Sequence, residues 1–481
     1  MSTHKLKAKS YKLNLGQLSL QVLIVGFIGI IVLSGFVVWA DSHIRSVERG
    51  EKRALAFAIS ESGIEYYRWH LAHSPTDYQD GTGAEGPYTH DYFDKDGDKI
   101  GEFELDITPP EEGGNIVIIR STGRLEADPG VEKIIQATLA YPSLARFAVA
   151  ANDDMRFGEG TQTYGQIHSN GGIRFDGIAY NLVSSAKEDY NDPDHSGGNE
   201  FGVHTHVYPI DPQPPAEIPV RLDVFTAGRE VGVPALDFTG FTQDLSEIKA
   251  LAISSDGFYQ EESSKRDYGY HVVLKTNGTF DLYVVDALVS PPRNCPASQT
   301  NWGTWSIVQE HLVDNYDYPN NGIIFIEDDI WVDGQIDGEK LTITAGRFPD
   351  VPSKRKSITV NNDLLYTNYD GSDSLALIAQ ENFNVGLKSE DDLRIDGAII
   401  AQNGRIGRFY NSSRCGDEYI RDTITLFGML ASNERYGFAY TDGTGYQNRI
   451  IIYDGNLLYS PPPKFPSTAE QYQVLSWEEI K

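Results

Sequence analysis

Basic residues are scarce in this chain of 481. The 40 Lys and Arg stand against 69 Asp and Glu, a formal net charge of −29. Phosphate binding draws on Lys and Arg, so the composition argues against a nucleic-acid partner. Most of the carboxylates read as a solvated, self-repelling surface. Methionine is rare (3) while Tyr (27), Phe (21) and Gly (46) are abundant, which favours strands and turns over helices. No HExxH, CxxC, phosphate-loop or GxSxG signature is present, so the common metalloprotease, redox, nucleotide and serine-hydrolase chemistries have no local motif. Cysteine is almost absent: only Cys295 and Cys415 occur. In an exported chain such a pair reads as one disulfide, and a loop of about 120 residues closed in this way is worth about 4–5 kcal/mol in the chain-entropy account. The alternative is two unrelated buried thiols.

One long apolar run is present. Residues 22–40 carry no charge and are mostly Val, Ile, Leu and Phe. As a helix they span about 28 Å, close to the hydrocarbon thickness of a bilayer. Lys5, Lys7, Lys9 and Lys12 precede the run and Asp41 follows it, so the positive-inside rule places the N-terminus in the cytoplasm and the rest outside. Residues 41–73 keep a helical period, with Ile44, Val47, Ala54, Leu55, Ala58, Ser62, Tyr66 and Trp69 at steps of three, four or seven. The expectation is one long helix whose second half packs on the external body. A secretory signal cut after Ala40 is the competing reading.

Beyond residue 74 the pattern is β. FELDI (103–107) and NIVIIRSTGRL (115–125) alternate as strands do. Before them, Asp94, Asp96 and Asp98 offer oxygen ligands at alternate positions, as Ca2+ loops do. Gly97 stands fourth rather than sixth, so a polar hairpin turn is the preferred reading and a Ca2+ site the lesser one; no other cofactor is expected. After residue 150 an internal repeat emerges in GGIRFDGIAY (171–180), DDIWVDGQID (328–337), DDLRIDGAII (391–400) and TITLFGMLAS (423–432). The apolar pairs Ile173/Phe175, Ile330/Val332, Leu393/Ile395 and Ile424/Leu426 align, followed by Gly177, Gly334, Gly397 and Gly428. Short strands whose alternate side chains share a core, with a glycine at each corner, must stack to bury their apolar faces.

The expected fold is therefore mainly β: a single long N-terminal transmembrane helix, then a β-rich body with stacked β-helix-like repeats and a small α/β insertion. An irregular β-sandwich is the second choice. The expected organisation is a basic leader at 1–16, the helix at 17–73 and a small β-rich region at 74–142. A first repeat region with a Pro-rich linker follows at 143–220, an α/β insertion at 221–320, the main repeats at 321–465 and a tail at 466–481. Within the insertion, 242–254 reads as a short helix and Asn277-Gly278 as a hairpin turn.

Two clusters invite a chemical reading. His168, His195, His204 and His206 fall within 40 residues, with Asp194 as a further ligand for a metal, but structural or surface histidines are the preferred reading. Asp328/Asp329 and Asp391/Asp392 resemble glycosidase carboxylates, yet they recur at one place in the repeat, as corner residues would.

The N-terminal residues carry a resemblance. The basic leader ending at Gly16, the uncharged start QLSLQ, the apolar helix and AISESGIE (58–65) together resemble the N-terminal region of PilX-type minor pilins, over about 60 residues. GQIHSNGGIRFDG, GIIFIEDDIWVDG and NLLYSPPPKFP are similar to blocks in large pilin-like proteins with β-helical bodies. The resemblance implies a prepilin peptidase cutting after Gly16, a mature chain starting at Gln17, and membrane and other pilin-like subunits as partners. An uncleaved anchor is the alternative. Gln21 takes the fifth mature place, where that family usually has the Glu that offsets a neighbour's amine. Gln supplies no charge there, which points away from the main shaft. The function implied is a non-enzymatic, type IV pilus-related cell-surface protein for assembly or adhesion, single-pass, with its body in the envelope or outside. The alternatives are a membrane-anchored β-helical polysaccharide enzyme and a stalked scaffold unrelated to pili.

Overall fold

The computed structural model describes residues 15–110, 116–140, 144–238, 241–295, 299–466 and 472–480. The chain forms two compact units. One comprises Met1–Thr108, Ile118–Thr138 and Leu475–Lys481, and the other Pro109–Val117 and Leu139–Val474.

The first unit is built on α1 (Leu15–His73), a continuous helix of 59 residues that runs through Ala40 without a break. Beside it lies a five-stranded sheet in the order β1 (Tyr88–Phe93), β2 (Lys99–Thr108), β3 (Ile116–Leu125), β4 (Asp128–Ala140) and the C-terminal strand Gln473–Ile480. β1–β2 and β2–β3 are antiparallel, with Tyr88 opposite Leu105 and Phe103 opposite Gly123. The buried face of α1 is Ala56, Ile59, Ser60, Ile64, Tyr67 and Leu71. That face lies one position round from the one the apolar period indicates, because Leu55 is 37 % and Trp69 59 % exposed. Small residues explain the shift. An added Cβ at Gly63 would run into Ser121 and Phe103, and one at Gly123 into the Ala56 carbonyl. Helix and sheet backbones therefore approach closely, and Ser60 Oγ donates to the Ser121 carbonyl at 2.7 Å. Each of Ile59, Ile64 and Leu71 contributes about 1.5–3 kcal/mol by its burial.

The second unit is a stack of parallel strands. One ladder runs from Phe258–Gln260 through Ile323–Ile326, Lys340–Ala345 and Ser374–Ala379 to residues 398–401 and 429–432. It continues through Val149–Ala151, Ile167–Ser169 and Val183–Ser185 to Arg229–Val231. The order in space is thus not the order in sequence. The chain enters this unit mid-stack, winds outward to Arg229–Val231, crosses to the far end at Phe258–Gln260 and winds back to meet its own start.

The inner strands of this ladder, such as Ile323–Ile326 and Ser374–Ala379, are buried on both faces, which is why they read as near-continuous apolar runs. Ile324, Ile326, Leu341, Ile343, Leu375, Leu377, Ile399 and Leu430 point into the main core. Their alternates Ile323, Phe325, Ala376, Ile378, Ala398, Ile400 and Met429 point outward, where Leu245, Ile248 and Ala252 of α2 (Phe241–Ile253) cover them together with Leu457 and Phe465. A ribbon of Tyr270–Leu274, Thr279–Leu288 and Ile307–Asp317 adds antiparallel strands, and its first strand pairs in parallel with Ile330–Ile336. Its turn has Gly278 at φ +80°.

All eight aligned repeat side chains are buried. Only two of the four units are neighbours: Leu393 pairs with Ile424, Ile395 with Leu426 and Gly397 with Gly428. Ile330 pairs instead with Ile358, and Ile173 with Met155 and Val203. Gly334, Gly397 and Gly428 have φ of +107°, +147° and +141°. Gly177 has an ordinary φ and is small because Thr161 crowds it.

Candidate functional site

The feature that separates this chain from a plain β-helix is the division of α1. Along residues 20–39 every large apolar side chain is 50–71 % exposed, on all sides of the helix. Twenty such residues reach about 30 Å, and burying them in the protein is not the arrangement adopted. This single N-terminal apolar helix fits a single-pass membrane anchor. Aromatic contacts mark its end, Phe36 with Trp39 and Trp39 stacked on His43 at 5.6 Å, as expected where apolar and polar surroundings meet. A charged stretch follows, with Arg45 paired to Asp41 at 2.8 Å and Lys52 to Asp128 at 2.8 Å. Then comes the half packed on the sheet. Gly16 and Gln17 lie in the first turn of α1, and Gln21 is exposed on the apolar half.

Cys295 and Cys415 form a disulfide across the second unit. Nearby, Trp302 Nε1 donates to the Tyr410 carbonyl at 3.1 Å and Gln299 Nε2 to Tyr440 Oη at 3.0 Å, so the segment around Cys295 is pinned along the turns of the stack.

Asp94, Asp96 and Asp98 sit in the turn between β1 and β2. Asp94 Oδ1 accepts from the amides of Asp96 and Asp98, both at 2.9 Å, and Gly97 takes the left-handed position at φ +91°. This is the bonding of a polar hairpin turn. Asp328 and Asp329 are corner residues. Asp328 accepts from Ser263 and Lys356, and Asp329 from the Ser357 amide at 2.7 Å, while burial pushes the Asp329 carboxyl up to about 6. Asp391 likewise accepts from the Asp422 amide at 3.1 Å.

The histidines divide. His168 is a satisfied core residue, with Nδ1 3.0 Å from Ser184 Oγ and Nε2 3.3 Å from Asn170 Oδ1. His195, His204 and His206 are brought together, with ring centres 4.8 Å (195–206) and 5.1 Å (204–206) apart. Asp194 is not with them, being paired to Arg435 and to Arg156. The carboxylates that do join them are Asp192 and Glu200. Sequence reasoning passed over both, although the spacings Asp-x-x-His (192–195) and Glu-x-x-x-His-x-His (200–206) were visible.

Another polar group went unread. His271 lies in a cleft lined by Glu310, Trp331, Asp333, Asn361 and Lys388. Its ring nitrogens reach Glu310 at 2.8 Å and Asp333 at 3.1 Å. Burial alone would lower its pKa, but the two carboxylates outweigh that and raise it to about 9.

No family model and no curated protein matches the chain. Among solved structures it is similar to the crystal structure of the competence-associated pilin ComZ from Thermus thermophilus. The TM-score is 0.30 at 12 % identity, and the match covers 89 % of this chain and 98 % of that one. A similarity of that size carries no functional weight, so the function is read from the chain's own geometry.

Proposed function

We propose that this chain is a pilin-like, single-pass surface subunit of the type IV pilus apparatus, a minor or initiating component without catalytic duty. The observation that supports it is the two-part α1: an all-round apolar half that suits lipid first and neighbouring apolar helices later, continuous with a half packed on an antiparallel sheet. In water, fifteen exposed large apolar side chains along residues 20–39 are costly, and lateral association with like helices removes that cost. Prepilin peptidase would cut between Gly16 and Gln17. Gln21 at the fifth mature place would leave a neighbour's terminal amine without a countercharge, which suits a subunit at a filament end better than one repeated along its shaft.

Mass spectrometry of the chain from native surface filaments, beside a Gly16→Val variant, tests this. A chain starting at Gln17, and loss of filament association in the variant, are expected. A chain starting at Met1 with surface assembly unchanged by Gly16→Val would overturn it.

A further inference from the structure

We propose that Asp192, His195, Glu200, His204 and His206 form a binding site for one first-row transition-metal dication of the Zn2+ kind. The site stands on three short elements of the second unit. Asp189–Tyr190 and Glu200–Phe201 pair antiparallel and throw out the loop that carries Asp192 and His195. Val203–His204 pairs in parallel with residues 173–174, which fixes the strand bearing His204 and leads to His206.

The spacings match those between ligands of one ion, and the Arg174 guanidinium lies at the edge, its Nη1 3.7 Å from Asp192 Oδ2. His195 Nδ1 lies 3.3 Å from a Glu200 oxygen, His204 Nε2 3.5 Å from Asp192 Oδ2, and His206 Nε2 4.0 Å from Glu200. A tetrahedral ion with bonds of about 2.0–2.1 Å holds its ligands about 3.3–3.4 Å apart. The five residues make two triads that share His206, and within each the ligand atoms lie within 4.8 Å of one another. The two triads thus meet at the His206 ring.

The second observation is a concentration of buried polar atoms that lack hydrogen-bond partners. Asp192 Oδ2, His195 Nδ1, Glu200 Oε2, His204 Nε2 and His206 Nε2 are all of this kind. The His204 side chain is wholly buried, and those of Asp192 and Glu200 are 3 % exposed. An unpaired buried polar group costs about 1–3 kcal/mol, so five in one place call for a shared partner. The surrounding bonds suit a metal. His204 Nδ1 faces the Phe201 carbonyl at 3.3 Å, which assigns the proton to Nδ1 and leaves the Nε2 lone pair free. Gln213 Nε2 donates to Glu200 Oε1 at 3.0 Å, and Asp176 Oδ1 accepts from the His206 amide at 2.8 Å. Nitrogen-rich donors with two carboxylates favour Zn2+ and its neighbours over Ca2+. Such an ion would fasten the 191–199 loop to the stack.

The test uses the full chain in detergent, stripped with a chelator and dialysed against Zn2+, Co2+ or Ca2+ singly. One Zn2+ or Co2+ per chain should be retained, with the visible spectrum of four- or five-coordinate Co2+. His206→Ala should weaken retention at least tenfold, while His168→Ala, a buried histidine outside the cluster, should not. No retained Zn2+ or Co2+, or equal retention by His206→Ala, overturns the proposal. If that variant does not fold, the unmodified chain decides: a six-coordinate Co2+ spectrum, or preference for Ca2+, overturns it.

Discussion

His271 is a basic side chain placed where burial opposes its charge, and Glu310 and Asp333 restore that charge. Unfolded, the imidazole titrates near 6.5. With the folded value raised to about 9, its contribution is fully present below pH 6.5 and is lost as the pH climbs through 9. Urea midpoints should therefore fall between pH 6.5 and 9, by on the order of 3 kcal/mol in unfolding free energy, and the slope should flatten in His271→Gln. A wild-type profile that is flat over this window would contradict the assignment. Nothing local in the sequence announces this residue, because Glu310 and Asp333 reach it from distant strands. The repeat pairs such as Leu393/Ile395 were legible because alternation is a local property. The packed face of α1 was misjudged by one position because Ser60 and Gly63 pack through lack of bulk, which hydropathy does not register.

Among the elements, the disulfide has the plainest consequence. Cys295 is joined to the buried Cys415, so reduction leaves this segment held by the hydrogen bonds of Trp302 to Tyr410 and of Gln299 to Tyr410 and Tyr440. Cys295→Ser is expected to cost about 2–5 kcal/mol in chemical unfolding, and limited proteolysis should open first near residues 289–306. Unchanged stability would mean that the denatured chain gains little freedom from the cut. The helix at residues 241–253 was legible from its period, and its task was not. Only the fold shows that its Leu245, Ile248 and Ala252 cover the outward face of strands such as Ser374–Ala379. Every residue of Ser374–Ala379 is buried, so the run is apolar on both faces. Asp192 and Glu200 escaped notice because a carboxylate in a polar loop looks like surface until its burial is known.

For the molecule as a whole, the apolar half of α1 buries nothing in the protein. A chain beginning at Asp41 is accordingly expected in the soluble fraction with its thermal transition unchanged, while the full chain sediments with membranes. Circular dichroism and fractionation check this. A truncated chain that aggregates or melts markedly earlier would show that residues 20–40 have a partner within the protein. Stacked strands were legible from the repeats, but their order was not, since pairing between Val149 and Leu430 leaves no trace in local pattern.

That order decides when the body can be finished. Val149–Ala151 must wait for residues 430–432, and Thr161–Tyr164 for residues 449–452. For a chain delivered N-terminus first, the centre of the stack is thus completed last, like a keystone. Until then two half-built arms carry open strand edges, the surfaces on which neighbouring chains template one another. Leu430 and Ile451, both buried, are accordingly the residues whose late arrival joins the two arms, and truncating either should lower yield as well as stability.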